Sequence, residues 1–309
     1  MILIEYKYED VREEINMHAK LSVSTLITPG WSPEKAAVAI RQAGYEGIEW
    51  RISEDGPIRP KHLRTDIKAA VAASRAEGLT SIGVASYQQL LDAEALQRDL
   101  DAALELGAPR IRPFWPEYDA SVSAKEIFYR SRAAMERLAP NLEKAGVTVI
   151  IKTHRRSIVP TASAAKRLVE VFSSSLYSVL YDPGNTVTSG LEDPCYAVEI
   201  LGRHLSHIHI KNSGWTRDRG RWRWGWMALN EGMVDWPVFL RHLKHMGYSG
   251  WLSNENFLLV PIDQRPAIGE IFRGFPSFYE GIDLELTERL REDRRYIEAH
   301  LTDLPAAQN

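Results

Sequence analysis

From Lys20 onward, hydrophobic and polar positions repeat one pattern: a short apolar run, a polar loop, a helix-length amphipathic stretch and a glycine. The apolar runs are KLSVST (20–25), GIEWRI (47–52), LTSIGVASY (79–87), PRIRPFW (109–115), VTVIIKTH (147–154), YSVLYD (177–182), LSHIHIKN (205–212) and GWLSNE (250–255). Their length and β-branched content predict strands. Between them, Ser32 with Pro33 opens a predicted helix that Gly44 closes, and helices over 62–77 and 92–106 end at Gly78 and Gly107. A longer helix opens on an expected capping box, Ser123 to Glu126, and ends at Gly146. Further helices are predicted over 161–172, 193–201, from Asp235 to Gly247, and over 284–299. Eight such alternations with short connections imply right-handed parallel crossovers. The turn after the first strand, STLITPGWS, lacks the glycine-rich phosphate signature of a doubly wound open sheet. The fold class predicted is therefore α/β, a closed (β/α)8 TIM barrel over 18–300. Residues 1–17 are expected to form an N-terminal extension and 301–309 a frayed tail, with translation starting at Met1 or Met17.

Strand parity then locates the chemistry. His207, His209 and Lys211 share one face of the seventh strand, and Ile208 and Ile210 share the other. Barrels carry their active groups at the C-terminal strand ends. Here those ends bear Glu49, Arg51, Arg110, Arg112, Lys152, His154, Asp182, His207, His209, Lys211 and Glu255, which are expected to converge on the axis. Any one of them alone reads more readily as a structural ion pair. So many together require a metal, a substrate or dense mutual pairing, because unmatched buried charge costs several kcal/mol per ion.

Composition narrows the field. The formal charge of −3 offers no global attraction to nucleic acid or to an anionic membrane, and neither is expected as a partner. Cys195 is the only cysteine, so no internal disulfide forms, which fits a cytoplasmic location. The acidic opening, MILIEYKYEDVREEIN, does not read as a secretory signal. Residues 213–232 form the longest connection, predicted as a structureless loop in which Trp215, Trp222, Trp224 and Trp226 alternate with arginines. Trp222 and Trp224 are candidates for stacking on a sugar ring. Equally, the loop fits a subunit contact in a homo-oligomer.

The motifs GYEGIEW around Glu49, YDPGN at 181–185, HIHIKN at 207–212, NEGMVDW at 230–236 and GYSGWLSNE at 247–255 resemble the sugar phosphate isomerase/epimerase group of the xylose isomerase-like TIM-barrel superfamily. The resemblance spans roughly residues 18–300 and implies an enzyme that moves a proton at the carbon beside a carbonyl of a small carbohydrate. It also implies a divalent metal (Mn, Mg, Co or Zn) held by Glu, Asp, His and Glu on the last four strands. Asp182, His209 and Glu255 match that set, whereas Lys152 stands where the family has glutamate. His154 is a candidate fourth ligand. The resemblance assigns Glu255 as the base, with a divalent metal or Lys152 (and His154) stabilising the oxyanion of an enediolate. Glu49, Arg112, His207 and Lys211 are expected to contact substrate; Glu49 also fits a salt bridge with Arg51 or Arg112. Two carboxylates near Lys152 are expected to keep it protonated. The alternative is a non-catalytic carbohydrate-binding barrel, or an enzyme subunit, whose metal site is closed by Lys152.

Overall fold

Eight parallel strands, β1 (Lys20–Ser24), β2 (Gly47–Arg51), β3 (Thr80–Gln89), β4 (Arg110–Phe114), β5 (Thr148–Lys152), β6 (Tyr177–Tyr181), β7 (Leu205–Ile210) and β10 (Trp251–Asn254), form a barrel. They close on themselves in the order β1–β10–β7–β6–β5–β4–β3–β2. A two-stranded antiparallel sheet, β8 (Asn212–Asp218) and β9 (Arg221–Met227), is inserted after the seventh barrel strand. The computed structural model describes residues 19–90, 92–114, 116–190, 192–256 and 283–302. The extension expected over 1–17 and most of the tail expected over 301–309 lie outside the described residues.

The helices are α1 (Pro33–Gln42), α2 (Leu63–Glu77), α3 (Ala93–Leu106), α4 (Ala124–Ala145), α5 (Ala162–Val169), α6 (Pro183–Thr186), α7 (Pro194–Leu201), α8 (Trp236–His245) and α9 (Asp283–Thr302). Their starts follow the sequence signals: Ser32, Thr161, Asp193 and Asp235 each accept a backbone N–H from the first turn of the helix they open. Such a cap is worth roughly 1 kcal/mol. Ser123 is the exception. It stands at the cap position of α4 without a side-chain hydrogen bond, and Glu126 reaches Arg130 instead, so the expected capping box does not form. Among the described residues, no helix is long and apolar enough to cross a membrane.

Alternation sorts each strand between two environments. Ile48 and Trp50, Val149 and Ile151, Val179 and Tyr181, and Ile208 and Ile210 belong to one continuous buried hydrophobic cluster. At roughly 1.5–3 kcal/mol for each large apolar side chain removed from water, this layer dominates the favourable side of folding. The intervening positions turn to the barrel interior and are polar at its C-terminal end.

The connection at 213–232 is not structureless. Its period-two pattern is that of a hairpin, paired from Asn212↔Met227 to Asp218↔Arg221. Arg219 (φ 46°) and Gly220 (φ 80°) form the two-residue turn, the left-handed pair a tight hairpin needs.

Candidate active site

Six strand ends deliver eight ionisable side chains to the barrel axis. Glu49 comes from β2, Arg112 from β4, Lys152 from the end of β5, Asp182 from just past β6, His207 and His209 from β7, Lys211 from the residue after it, and Glu255 from just past β10. All eight are buried, with Asp182 and Glu255 at 0% exposure.

Two contact groups meet at His209. In the first, Lys152 and Lys211 share two carboxylate oxygens. The Lys152 ammonium lies 3.1 Å from Asp182 Oδ2 and bonds Glu255 Oε2. The Lys211 ammonium lies 3.0 Å from the same Asp182 oxygen and also donates to Glu255 Oε2. In the second, Glu49 accepts from Arg112 Nε at 3.2 Å and stands 2.8 Å from His209 Nε2 and 3.8 Å from His207 Nε2. His209 joins the groups because its Nδ1 faces Glu255 Oε2 at 3.2 Å and Asp182 Oδ2 at 3.8 Å. Glu49, Asp182 and Glu255 thus balance Arg112, Lys152 and Lys211 charge for charge.

Burial and partners set the acidities. Burial opposes ionisation of Glu49, but His209, His207 and Arg112 together hold it well below the usual carboxylate range. For Asp182 burial is likewise outweighed by Lys211 and Lys152, and for Glu255 by His209, Lys152 and Lys211. The lysines diverge. At Lys152 burial, with the neighbouring Lys211 charge, outweighs the pull of Glu255 and Asp182 and lowers its pKa. At Lys211 the two carboxylates overcome burial and raise it. Burial also pushes His207 down to about 4, and burial followed by the Lys152 charge pushes His154 down to about 3.

Local sequence explains the placement. In YDPGN, Asp182 Oδ1 caps α6 by accepting the Asn185 N–H at 3.0 Å, which leaves Oδ2 to the lysines. A Cβ at Gly184 would come within 2.9 Å of both the Lys211 side chain and its carbonyl, so only glycine lets this turn lie against Lys211. Asn212 donates to the Leu229 and Val234 carbonyls at 2.7 and 3.0 Å and accepts the Val234 N–H, tying the hairpin base to the NEGMV segment. Gly232 is required there, because a Cβ would stand 2.1 Å from Asn212 Oδ1.

Not every expected group joins the cluster. Arg51 turns to Asp55, and Arg110 donates to the Ile82 carbonyl. His154 lies partly open beyond the end of β5, with Nδ1 2.7 Å from the Arg155 carbonyl. Of the hairpin tryptophans, Trp222 is 68% exposed toward the turn. Trp224 is buried, donating to Ser213 Oγ at 3.1 Å beneath the Arg155 guanidinium. The indole that meets the cluster is Trp226, with Lys211 Nζ 4.6 Å from its ring. Its signal was present, since Trp222, Trp224 and Trp226 share a strand face and Trp226 lies nearest the hairpin base. Ser24, which donates to Glu255 Oε1 at 3.4 Å, was also missed, and a lone serine gives no sequence signal. Surface cavities of about 240 and 320 Å³ lie elsewhere and touch none of the eight side chains.

These placements predict a contrast. Trp222→Ala should leave the urea midpoint unchanged within about 0.5 kcal/mol, as an exposed position does. Trp226→Ala should cost about 3 kcal/mol through lost packing and the lost cation–π contact. Dissociation of Trp222→Ala in sedimentation velocity would assign the hairpin tip to a subunit contact.

Among the described residues, ligand atoms for a metal are present in two groups, Glu49–His207–His209 and Asp182–His209–Glu255, each with its atoms within 4.8 Å of one another. His154 belongs to neither. As a charge set the second group does not fit a resident divalent ion. Asp182 Oδ2 and Glu255 Oε2, the oxygens that face His209 Nδ1, are the ones that both ammonium groups touch. A cation seated there would meet two like charges at contact range.

Residues 37–270 match the family model described as xylose isomerase-like TIM barrel. Among curated proteins, 2-epi-5-epi-valiolone 7-phosphate 2-epimerase of Actinoplanes sp. is 30% identical over 189 residues, covering 57% of this chain and 67% of the relative. Inosose dehydratase of Lacticaseibacillus casei is 25% identical over 149 residues, covering 45% of this chain and 48% of the relative. The chain thus spans about half the length of the inosose dehydratases it matches. The solved structure of D-allulose 3-epimerase from Methylomonas sp. in complex with D-allulose superposes with a TM-score of 0.69 at 18% identity, covering 92% of this chain and 98% of that one. The chain belongs to the xylose isomerase-like TIM barrel family.

Proposed function

We propose that this chain is an enzyme that moves a proton at the carbon beside a carbonyl of a small sugar, keto-sugar or sugar acid, as an isomerase or epimerase or the related lyase. The observation that carries the reading is a single contact set: the Glu255 carboxylate, wholly buried, touches two ammonium groups and faces an imidazole nitrogen. A base and electrophiles for the same carbonyl therefore stand side by side. The names of the relatives, an epimerase and a dehydratase, lend support from outside the geometry.

In this reading the substrate carbonyl oxygen accepts hydrogen bonds from Lys211 and Lys152, and Glu255 removes the proton from the adjacent carbon. The electron pair of the broken C–H bond forms the C=C bond of an enediolate, and the carbonyl π pair moves to the oxygen held by the ammonium groups. Delivery of a proton to the opposite face by a donor other than Glu255 gives epimerisation; return of the Glu255 proton to the former carbonyl carbon, with the hydroxyl proton of the deprotonated carbon passing to the former carbonyl oxygen, gives isomerisation. Loss of a β-hydroxyl as water, with a proton from a nearby acid, gives the lyase outcome. Lys211, whose pKa the two carboxylates raise against burial, suits the fixed electrophile, and Lys152 adds a second hydrogen-bond donor beside it. Glu49, with Arg112, orients His209.

Incubation with a panel of ketoses and keto-cyclitols in deuterium oxide is expected to show deuterium entering beside the carbonyl by mass spectrometry. A second reading, the non-catalytic barrel, is favoured by one observation, that the six formal charges match one another internally. No exchange with any ketone, together with a ketone that binds unchanged, would establish it.

A further inference from the structure

We infer that Lys152 and Lys211 together fill the place of a divalent cation in this barrel, giving the site a built-in pair of positive charges where its ligand atoms outline a metal cradle. Three observations carry this. Asp182, His209 and Glu255 present ligand atoms within 4.8 Å of one another, the layout of a metal site. Each of the two carboxylate oxygens in that set contacts both ammonium nitrogens, so the locus between them is bounded by two unit positive charges. Among the described residues the charge count closes without a further cation, because Arg112 answers Glu49 and the two lysines answer Asp182 and Glu255.

The arrangement is built rather than incidental. Lys152 arrives on β5 as an inward position of the strand, and Lys211 is pinned between Gly184, which leaves room for its stem, and the Trp226 ring. Ammonium groups differ from a metal in what they offer a substrate. They donate hydrogen bonds to oxygen but form no coordinate bonds, so they suit a single carbonyl or enolate oxygen as well as a chelating pair. Both lysines close the site. Replacing Lys152 alone with glutamate would leave Lys211 on the same two oxygens.

The role of this pair as the electrophile rests on the proton-transfer reading above; its occupation of the metal locus does not. The test therefore uses no substrate. Wild type, Lys211→Met and Lys152→Glu/Lys211→Met, each purified without chelator, are compared for metal content by plasma mass spectrometry and for melting temperature in manganese and in EDTA. Wild type is expected to hold well under one equivalent of metal and to melt within about 1 °C in the two buffers. The double variant should bind manganese and gain about 5 °C or more from it, as a site filled well above its Kd does, and Lys211→Met should gain less. Where the double variant folds only in manganese, the inference is upheld. One equivalent of metal in wild type, or a wild-type shift as large as that of the variants, would overturn it. So would the lack of a manganese response in both variants.

Discussion

Glu255→Gln is expected to lower turnover on any ketone that the wild type processes by about 100- to 10,000-fold, the usual worth of a positioned general base. The amide matches the carboxylate in size and still accepts from an ammonium, but it cannot take a proton from carbon. The rate loss must be separated from a stability loss, because Glu255 is touched by both Lys152 and Lys211 and its neutralisation leaves two ammonium groups on Asp182 alone. Turnover is therefore measured at a temperature where circular dichroism shows the variant fully folded, and is read as kcat. A kcat within a few-fold of wild type would remove Glu255 from the chemistry and move the base to Lys152 or His209.

Much of this arrangement was legible in the sequence, because strand parity is a property of the backbone alone. Ile208 and Ile210 had to face one way, so His207 and His209 had to face the other, and the same rule placed Glu49 and Lys152 on the axis. The order of units and the glycines after the helices gave the barrel. What parity does not encode is which cation meets which anion across the axis. That depends on register, and register shifts fall between Ile48 and Glu49 and between Val179 and Leu180, beside two of the carboxylate positions. Alternation also put Lys211 on the face of His207 and His209, but its contacts with Asp182 and Glu255, rather than with substrate alone, are a tertiary outcome. The hairpin differs for another reason: alternating tryptophan and arginine fits a polar loop as well as two strands, and what makes it a hairpin is the left-handed Arg219–Gly220 pair at its tip. At Ser123 a sequence-correct cap simply lacks its hydrogen bond.

Lys152→Met is expected to destabilise the barrel by on the order of 3–5 kcal/mol, the usual cost of removing one partner from a buried ion pair. Methionine fills a similar volume, so the cost is electrostatic: Asp182 and Glu255, both fully buried, are left with one ammonium between them. The loss should depend on pH with a definite sign. Both carboxylates titrate below their ordinary range in the folded chain, so they bind fewer protons there than in the unfolded chain. Their contribution is complete above the unfolded value of about 4 and is lost as pH falls through the folded values. Without Lys152 those folded values rise, so acid unfolding should begin at a higher pH than in wild type. A double-mutant cycle separates charge balance from packing. In Lys152→Met/Glu255→Gln one cation and one anion are removed together, leaving Lys211 paired with Asp182. The double variant should then lose less than the sum of the two single losses, by about 0.5–3 kcal/mol in urea denaturation at unchanged m. Strict additivity would mean that the two groups do not sense each other, and the closed cluster of paired charges would not describe the site. A coupling in the expected range would tie Lys152 to Glu255 energetically, the pairing on which both the proton-transfer reading and the cation-replacement reading depend.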